Sequence, residues 1–163
     1  RIDVDLLGVG TERPARDRMP SFAWHGAEIR RWRDDLYAIE TGCELDTAWC
    51  CHWDGCAPLA LPNGDRLQLA GASGFPTPLL VHARRGGERI LLSNRGEHHH
   101  ALKHVLQEQG IPPWERERMP LISTADNGIL LAVADRIRSA GFEHWLQSQG
   151  AQLLWTRRPA PVG

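Results

Sequence analysis

Residues 99–118 read His-His-Ala-Leu-Lys-His-Val-Leu-Gln-Glu-Gln-Gly-Ile-Pro-Pro-Trp-Glu-Arg-Glu-Arg, and this stretch decides which fold class the rest can join. Ala101, Leu102, Val105 and Leu106 form one apolar stripe at helical spacing. His100, Lys103, His104 and Gln107 fall on the opposite face. The periodicity predicts a helix over His99–Gln109, which Gly110 ends and Pro112-Pro113 keeps from continuing. A second, short helix is expected over Pro113–Arg118, with proline in its first turn and a stop before Pro120.

Working outward, the flanks are rich in strands. Downstream, Leu121-Ile122 and Ile129–Val133 bracket the turn Asp126-Asn127-Gly128. Phe142–Gln149 reads as a helix and Gln152–Thr156 as a last strand. Upstream, Leu79–Ala83 and Arg89–Leu92 read as strands about Arg85-Gly86-Gly87. Leu59–Leu61 and Arg66–Leu69 flank Pro62-Asn63-Gly64-Asp65, a strong hairpin turn because Asn-Gly accepts positive φ cheaply. Asp46–Ala57 reads as an irregular loop. Glu28–Arg33 and Leu36–Thr41 read as strands joined at Asp34-Asp35, with Trp32 a half-buried strand residue. Gly71–Pro78, with two prolines and two glycines, is the expected linker. Strands and helices mix without βαβ alternation, so the expected class is α+β: a small mixed β-sheet sandwich with a few short helices.

The chain has 163 residues, 42% apolar and 24% charged, which excludes wholesale disorder. Its longest apolar run, Ile129–Ala134, is far too short to span a bilayer, so no membrane partner is expected. No secretory leader is expected from the opening residues, and a cytoplasmic, reducing setting is expected for Cys43, Cys50, Cys51 and Cys56. Cys50, Cys51, His52 and Cys56 lack the second ligand pair of a structural zinc site, so no metal is expected and free thiols are. His100 and His104 have the i, i+4 spacing of a zinc helix, but the general-base Glu is missing and Lys103 stands between them. Phosphate-loop, dinucleotide and nucleophile-elbow signatures are absent. No catalytic residue is assigned.

The net charge of −1 hides an asymmetry. Residues 1–80 hold 8 basic and 12 acidic side chains, a net of −4. Residues 81–163 hold 11 basic and 8 acidic side chains, a net of +3. Of the 19 basic residues only Lys103 is lysine, which fits either GC-rich codon usage or phosphate recognition by guanidinium forks. Basic side chains at the start of a helix, beside its free N–H groups, suit phosphate. The alternative is a solvated face whose arginines pair with Glu88, Glu115 and Glu117. Trp114 reads as a stacking platform for a base or as packing for the Pro-Pro turn.

Arg85-Gly86-Gly87-Glu88-Arg89-Ile90, then Ala101-Leu102-Lys103, Leu106-Gln107-Glu108, Gly110-Ile111-Pro112-Pro113-Trp114, Arg116, Arg118, Pro120-Leu121 and Leu131-Ala132-Val133-Ala134 closely resemble the C-terminal domain of the tRNA(Ile)-lysidine synthetase family. Gly26–Arg33 and Leu36-Tyr37 resemble the segment preceding that domain. The resemblance implies three parts: residues 1–20 as the remnant of a middle domain, 21–77 as a β-rich connecting segment, and 78–163 as the tRNA-binding domain. It implies a parent ligase that uses ATP to join lysine to the wobble cytidine of the CAU anticodon of a minor isoleucine tRNA. That chemistry resides in an N-terminal PP-loop domain with a Ser-Gly-Gly-x-Asp-Ser signature, which these residues do not contain. ATP and Mg are therefore implied for that domain and no cofactor for this segment.

The partners implied are the acceptor stem of that tRNA, the N-terminal catalytic domain, and in some members a second copy as a homodimer. A relation to a domain of the phenylalanyl-tRNA synthetase β chain is also implied. Carried over, the resemblance points to Arg84, Arg85, Arg89, Lys103, Arg116 and Arg118 as RNA contacts, and Arg95, His100 and His104 extend the same surface. The sequence departs from the family at His98-His99-His100 and at His104, where Arg or Lys is usual. Because histidine titrates near neutrality, RNA binding is expected to strengthen from about pH 7.5 to about pH 6. A flat profile at constant ionic strength excludes this. The competing expectation is a structural or protein-interaction domain of the same fold without RNA binding.

Overall fold

The computed structural model describes residues 21–24 and 26–159; the expected remnant at 1–20 lies outside them. The chain forms two compact units, one ending at Gly42 and one beginning at Cys43.

In the first unit, β1 (Ser21–Trp24), β2 (Ala27–Trp32) and β3 (Asp35–Glu40) form an antiparallel meander. The β2–β3 turn is Arg33-Asp34 rather than Asp34-Asp35, because Asp35 pairs with Trp32. Arg33 adopts φ 58, a backbone that suits the twist of a tight hairpin but is unfavourable for a side chain with a Cβ. Its guanidinium lies 4.4 Å above the Trp32 ring, a cation–π contact that offsets part of that cost. Trp32 is half-buried, as expected, and meets Tyr37 edge-on at 6.3 Å.

The second unit contains β4 (Cys50–Trp53), β5 (Leu59–Ala60), β6 (Arg66–Ala70), β7 (Leu79–His82), β8 (Arg89–Leu91), β9 (His99–Ala101), α1 (Leu102–Glu108), α2 (Pro113–Arg118), β10 (Leu121–Thr124), β11 (Leu130–Val133), β12 (Ile137–Arg138), α3 (Ala140–Gln149) and β13 (Gln152–Thr156). One five-stranded sheet has the order β12-β11-β10-β7-β4, a three-stranded sheet β13-β6-β5, and a ribbon β8-β9. All pairings are antiparallel. The class is α+β, as expected, with several small sheets and three short helices. A single hydrophobic cluster running from Leu45 to Trp155 holds the sheets together.

Several expectations need correcting. The loop expected over Asp46–Ala57 contains β4, the edge strand beside β7. Its Cys-Cys-His-Trp sequence has no clean apolar alternation, and only Trp53 is buried. Strands β7 and β8 do not form a hairpin about Arg85-Gly86-Gly87. Strand β7 sits between β4 and β10, while β8 pairs with β9. Helix α1 begins at Leu102 instead of His99, because His99–Ala101 continue a strand opposite Arg89–Leu91. The Leu102 N–H donates to the Glu88 carbonyl at 2.8 Å, which joins ribbon to helix. Consequently His100 is a strand residue, and it does not share a helical face with Lys103. Two residues of β12 were too few to give any periodic signal.

Gly71–Pro78 is not a free linker. The Phe75 N–H donates to the Asp54 carbonyl at 2.7 Å. Its ring packs against Trp53 at 5.2 Å, Trp145 at 5.5 Å and Phe142 at 6.1 Å. Residues 43–77, grouped with the upstream segment in the sequence reading, supply three strands of the second unit. The Asn63-Gly64 turn does join β5 to β6, and it has a further role. Asp65, only 1% exposed, receives the Arg118 fork at 2.8 and 2.5 Å and the Arg158 N–H at 2.8 Å. Beside it, Asn63 Nδ2 donates to the Cys43 carbonyl at 2.9 Å. Charged, multiply hydrogen-bonded contacts of this kind are how a buried carboxylate is tolerated.

Candidate nucleic-acid interface

Glu88 builds the turn between β7 and β8 from within. Its Oε1 accepts the backbone N–H of Arg85 at 2.5 Å and of Gly86 at 2.8 Å, and Oε2 faces Arg84 Nε at 3.7 Å. Gly86 and Gly87 supply φ 90 and 80, which this loop requires. With that carboxylate committed, Arg85 and Arg89 are held by carbonyls instead. Arg85 Nε donates to the Thr47 carbonyl at 3.1 Å, and Arg89 Nη2 to the His99 carbonyl at 2.6 Å. Carbonyl contacts orient a guanidinium without neutralising it. Among the described residues neither arginine has an ion-pair partner, whereas Arg84, Arg95, Arg118, Arg138 and Arg157 each face a carboxylate.

Arg85 and Arg89 line one cavity of about 250 Å³. Its floor is one face of the five-stranded sheet, and the register explains which side chains form it. Leu80 lies opposite Ser123 and His82 opposite Leu121, while Ser123 also lies opposite Leu130. Leu80, His82, Ser123 and Leu130 therefore share a face. His82 and Ser123 are diagonal neighbours, with Nε2 and Oγ 2.8 Å apart, and His82 Nδ1 is 2.9 Å from the Ala83 carbonyl. A carbonyl only accepts, so Nδ1 carries a proton; in that tautomer of the uncharged ring, Nε2 accepts from the Ser123 hydroxyl, whereas an imidazolium would donate to it. No spacing in the sequence links these two residues. Their only trace was one imidazole in an otherwise apolar strand.

The structure divides the other expected contacts into separate groups. Lys103 and His104 are exposed on α1, whose Leu102, Val105 and Leu106 are fully buried on the other side. The helix N–H expected to face phosphate is spent at Leu102 on Glu88. Arg95 pairs with Glu108 at 2.5 Å, and His100 Nε2 lies 3.2 Å from the Arg95 carbonyl. Both tie the 92–98 loop to its neighbours. Arg116 Nε donates to the Ile111 carbonyl at 2.6 Å, securing the loop between α1 and α2. Arg118, 12% exposed and forked onto Asp65, is a structural residue. Glu115 is held by Arg157 rather than by a neighbour in its own basic stretch. Trp114 is half-buried.

Among the described residues no three His, Cys, Asp or Glu side chains are grouped to hold a metal ion. All four cysteines are free. Loss of hydration, and then the adjacent Asp54 carboxylate, hold the Cys56 thiol above its ordinary range. No helix among the described residues is long and apolar enough to cross a membrane.

Residues 79–155 match the family model described as the TilS substrate C-terminal domain. The fold agrees. A solved structure titled as the crystal structure of the TILS C-terminal domain superposes with TM-score 0.52 at 25% identity, covering 69% of this chain and 98% of that one.

The relatives carry the name tRNA(Ile)-lysidine synthase. That of Xanthomonas axonopodis pv. citri is 48% identical over 143 residues, 86% of this chain and 32% of the relative. That of Xylella fastidiosa strain Temecula1 is 45% identical over 87% of this chain and 33% of the relative. That of Coxiella burnetii is 35% identical over 90% and 33%. The chain thus spans about a third of the length of these curated relatives.

Proposed function

We propose that this chain is the tRNA-gripping portion of an ATP-dependent ligase that attaches lysine to the wobble cytidine of isoleucine tRNA. In this reading it holds the acceptor stem while a separate PP-loop domain, with ATP and Mg, performs the chemistry in the cytoplasm. The residues here contain no phosphate loop and supply no step of that reaction. The observation that carries the reading is the pair of unneutralised guanidinium groups, Arg85 and Arg89, on one cavity within the residues that match this family model. Lys103 and His104, exposed on α1, form a second group of candidate contacts. Two guanidinium groups on one cavity without an ion-pair partner leave positive charge that an RNA phosphate would neutralise.

The test is titration of this chain with isoleucine tRNA over a salt series. Affinity is expected to fall steeply with salt, and the log–log slope to shrink by about 1 for each of Arg85→Ala and Arg89→Ala. Absence of binding at low salt, or a slope unchanged by both substitutions, overturns the reading in favour of a structural or protein-interaction domain.

A further inference from the structure

We propose that the cavity beneath Arg85 and Arg89 takes one unpaired ribonucleotide of the bound RNA, with its phosphate at the rim and its sugar on the floor. This rests on the RNA reading above and names what the site would accept. A duplex backbone is followed by charges spread along an open surface, and it needs no hole. Here the two free cations surround a concavity instead. At about 250 Å³ it lies just below the usual range for small-molecule sites, which suits a single nucleotide and excludes a helix.

The lining is graded in chemistry. Arg85 and Arg89 stand at the entrance, where their remaining N–H groups suit phosphate oxygens. Leu80 and Leu130 flank Ser123 on the same sheet face and offer apolar surface for a ring. Glu88 also lines the cavity; its Oε1 accepts two backbone N–H groups and its Oε2 faces Arg84 at 3.7 Å, so its charge is opposed by Arg84 rather than by Arg85 or Arg89.

The floor gives the inference its specificity. Ser123 is 3% exposed, with its Oγ 2.8 Å from His82 Nε2; opposite the uncharged ring with its proton on Nδ1, the hydroxyl proton points at Nε2. Its oxygen is left with lone pairs only, so the floor asks for a hydrogen-bond donor. A ribose 2′-hydroxyl is such a donor, and it is the group by which a protein tells RNA from DNA. A deoxyribonucleotide would leave the buried Ser123 oxygen without that partner.

The experiment measures binding of the 163-residue chain to a labelled RNA duplex, either blunt or bearing a short 3′ overhang of ribo- or deoxyribonucleotides. The ribonucleotide overhang is expected to bind about tenfold tighter than the blunt duplex, and the deoxyribonucleotide overhang to lose most of that gain. Ser123→Ala should bring the two overhangs to equal affinity. Leu80→Phe, which enlarges a half-buried side chain beside Ser123, should reduce the overhang gain to near one. Thermal unfolding of both variants confirms that they are folded. Equal affinity for blunt and overhung duplex in the unsubstituted chain, or a gain that survives both substitutions, overturns the nucleotide cavity while leaving the RNA reading standing. Failure to bind either duplex at low salt overturns both.

Discussion

Arg85 and Arg118 come from the same basic stretch and end with opposite assignments. Arg85 keeps its charge unneutralised at a cavity, while Arg118 is spent on Asp65. Nothing local distinguishes them, because the Arg118 partner lies 53 residues upstream in a turn that looks purely conformational. The consequence is measurable. Asp65→Ala and Arg118→Ala each strand a buried charge or its donors, and each should lower the free energy of urea unfolding by about 3–5 kcal/mol. Arg118→Lys keeps the charge but loses the fork. It should lower stability while leaving the salt slope of RNA binding unchanged. A reduced slope with unchanged stability would return Arg118 to the RNA surface. At this scale residue types were legible in the sequence, but their roles were not, since a guanidinium's role is fixed by which carboxylate the fold delivers to it. The Ser123–His82 pair is a second case, created only when β7 and β10 align.

Elements were legible where the chain itself carries the signal. Helix α2 runs over Pro113–Arg118 as expected because proline fixes its start and Pro120 its end. Strand β13 alternates exposed and buried over Gln152–Thr156, the period a half-buried strand requires. Failures came where tertiary pairing set the boundary, as at β4, or shortened a periodic run, as when β9 takes His99–Ala101 from α1. The glycines sort in the same way. Gly71 and Gly86 both have positive φ, 85 and 90. A Cβ on Gly71 would stand 2.5 Å from the Gly150 carbonyl oxygen, where α3 passes into β13, whereas one on Gly86 meets nothing within 4 Å. Gly86→Ala should therefore cost only its backbone strain, about 1–2 kcal/mol. Gly71→Ala should cost clearly more, because backbone must move as well. Paired urea melts of the two variants check the order, and equal costs would mean that the 70–71 and 150–151 segments separate easily.

At the scale of the whole molecule the charge asymmetry disappears. The +3 found for residues 81–163 belonged to a division by sequence halves. The compact unit from Cys43 onward adds Arg66 but also Glu44, Asp46, Asp54 and Asp65, and its 12 basic and 12 acidic residues leave no net charge. Attraction to RNA therefore has to come from the local arrangement of Arg85, Arg89 and Lys103 rather than from the domain's overall field. The same division bears on what can fold alone. The family match begins at residue 79, yet the core includes Leu45, Trp53, Leu61, Leu67 and Leu69. Strand β6 is the middle of its sheet, so without it β13 has no partner. Removing residues 43–77 would also take away Asp65 and Asn63, and with Asp65 the carboxylate onto which Arg118 is forked. A chain beginning at Cys43 should unfold in one cooperative thermal transition. A chain beginning at Pro78 should show none, with exposed apolar surface and poor amide dispersion. Cooperative unfolding of the shorter chain would show that β4, β5 and β6 only decorate a core that stands without them.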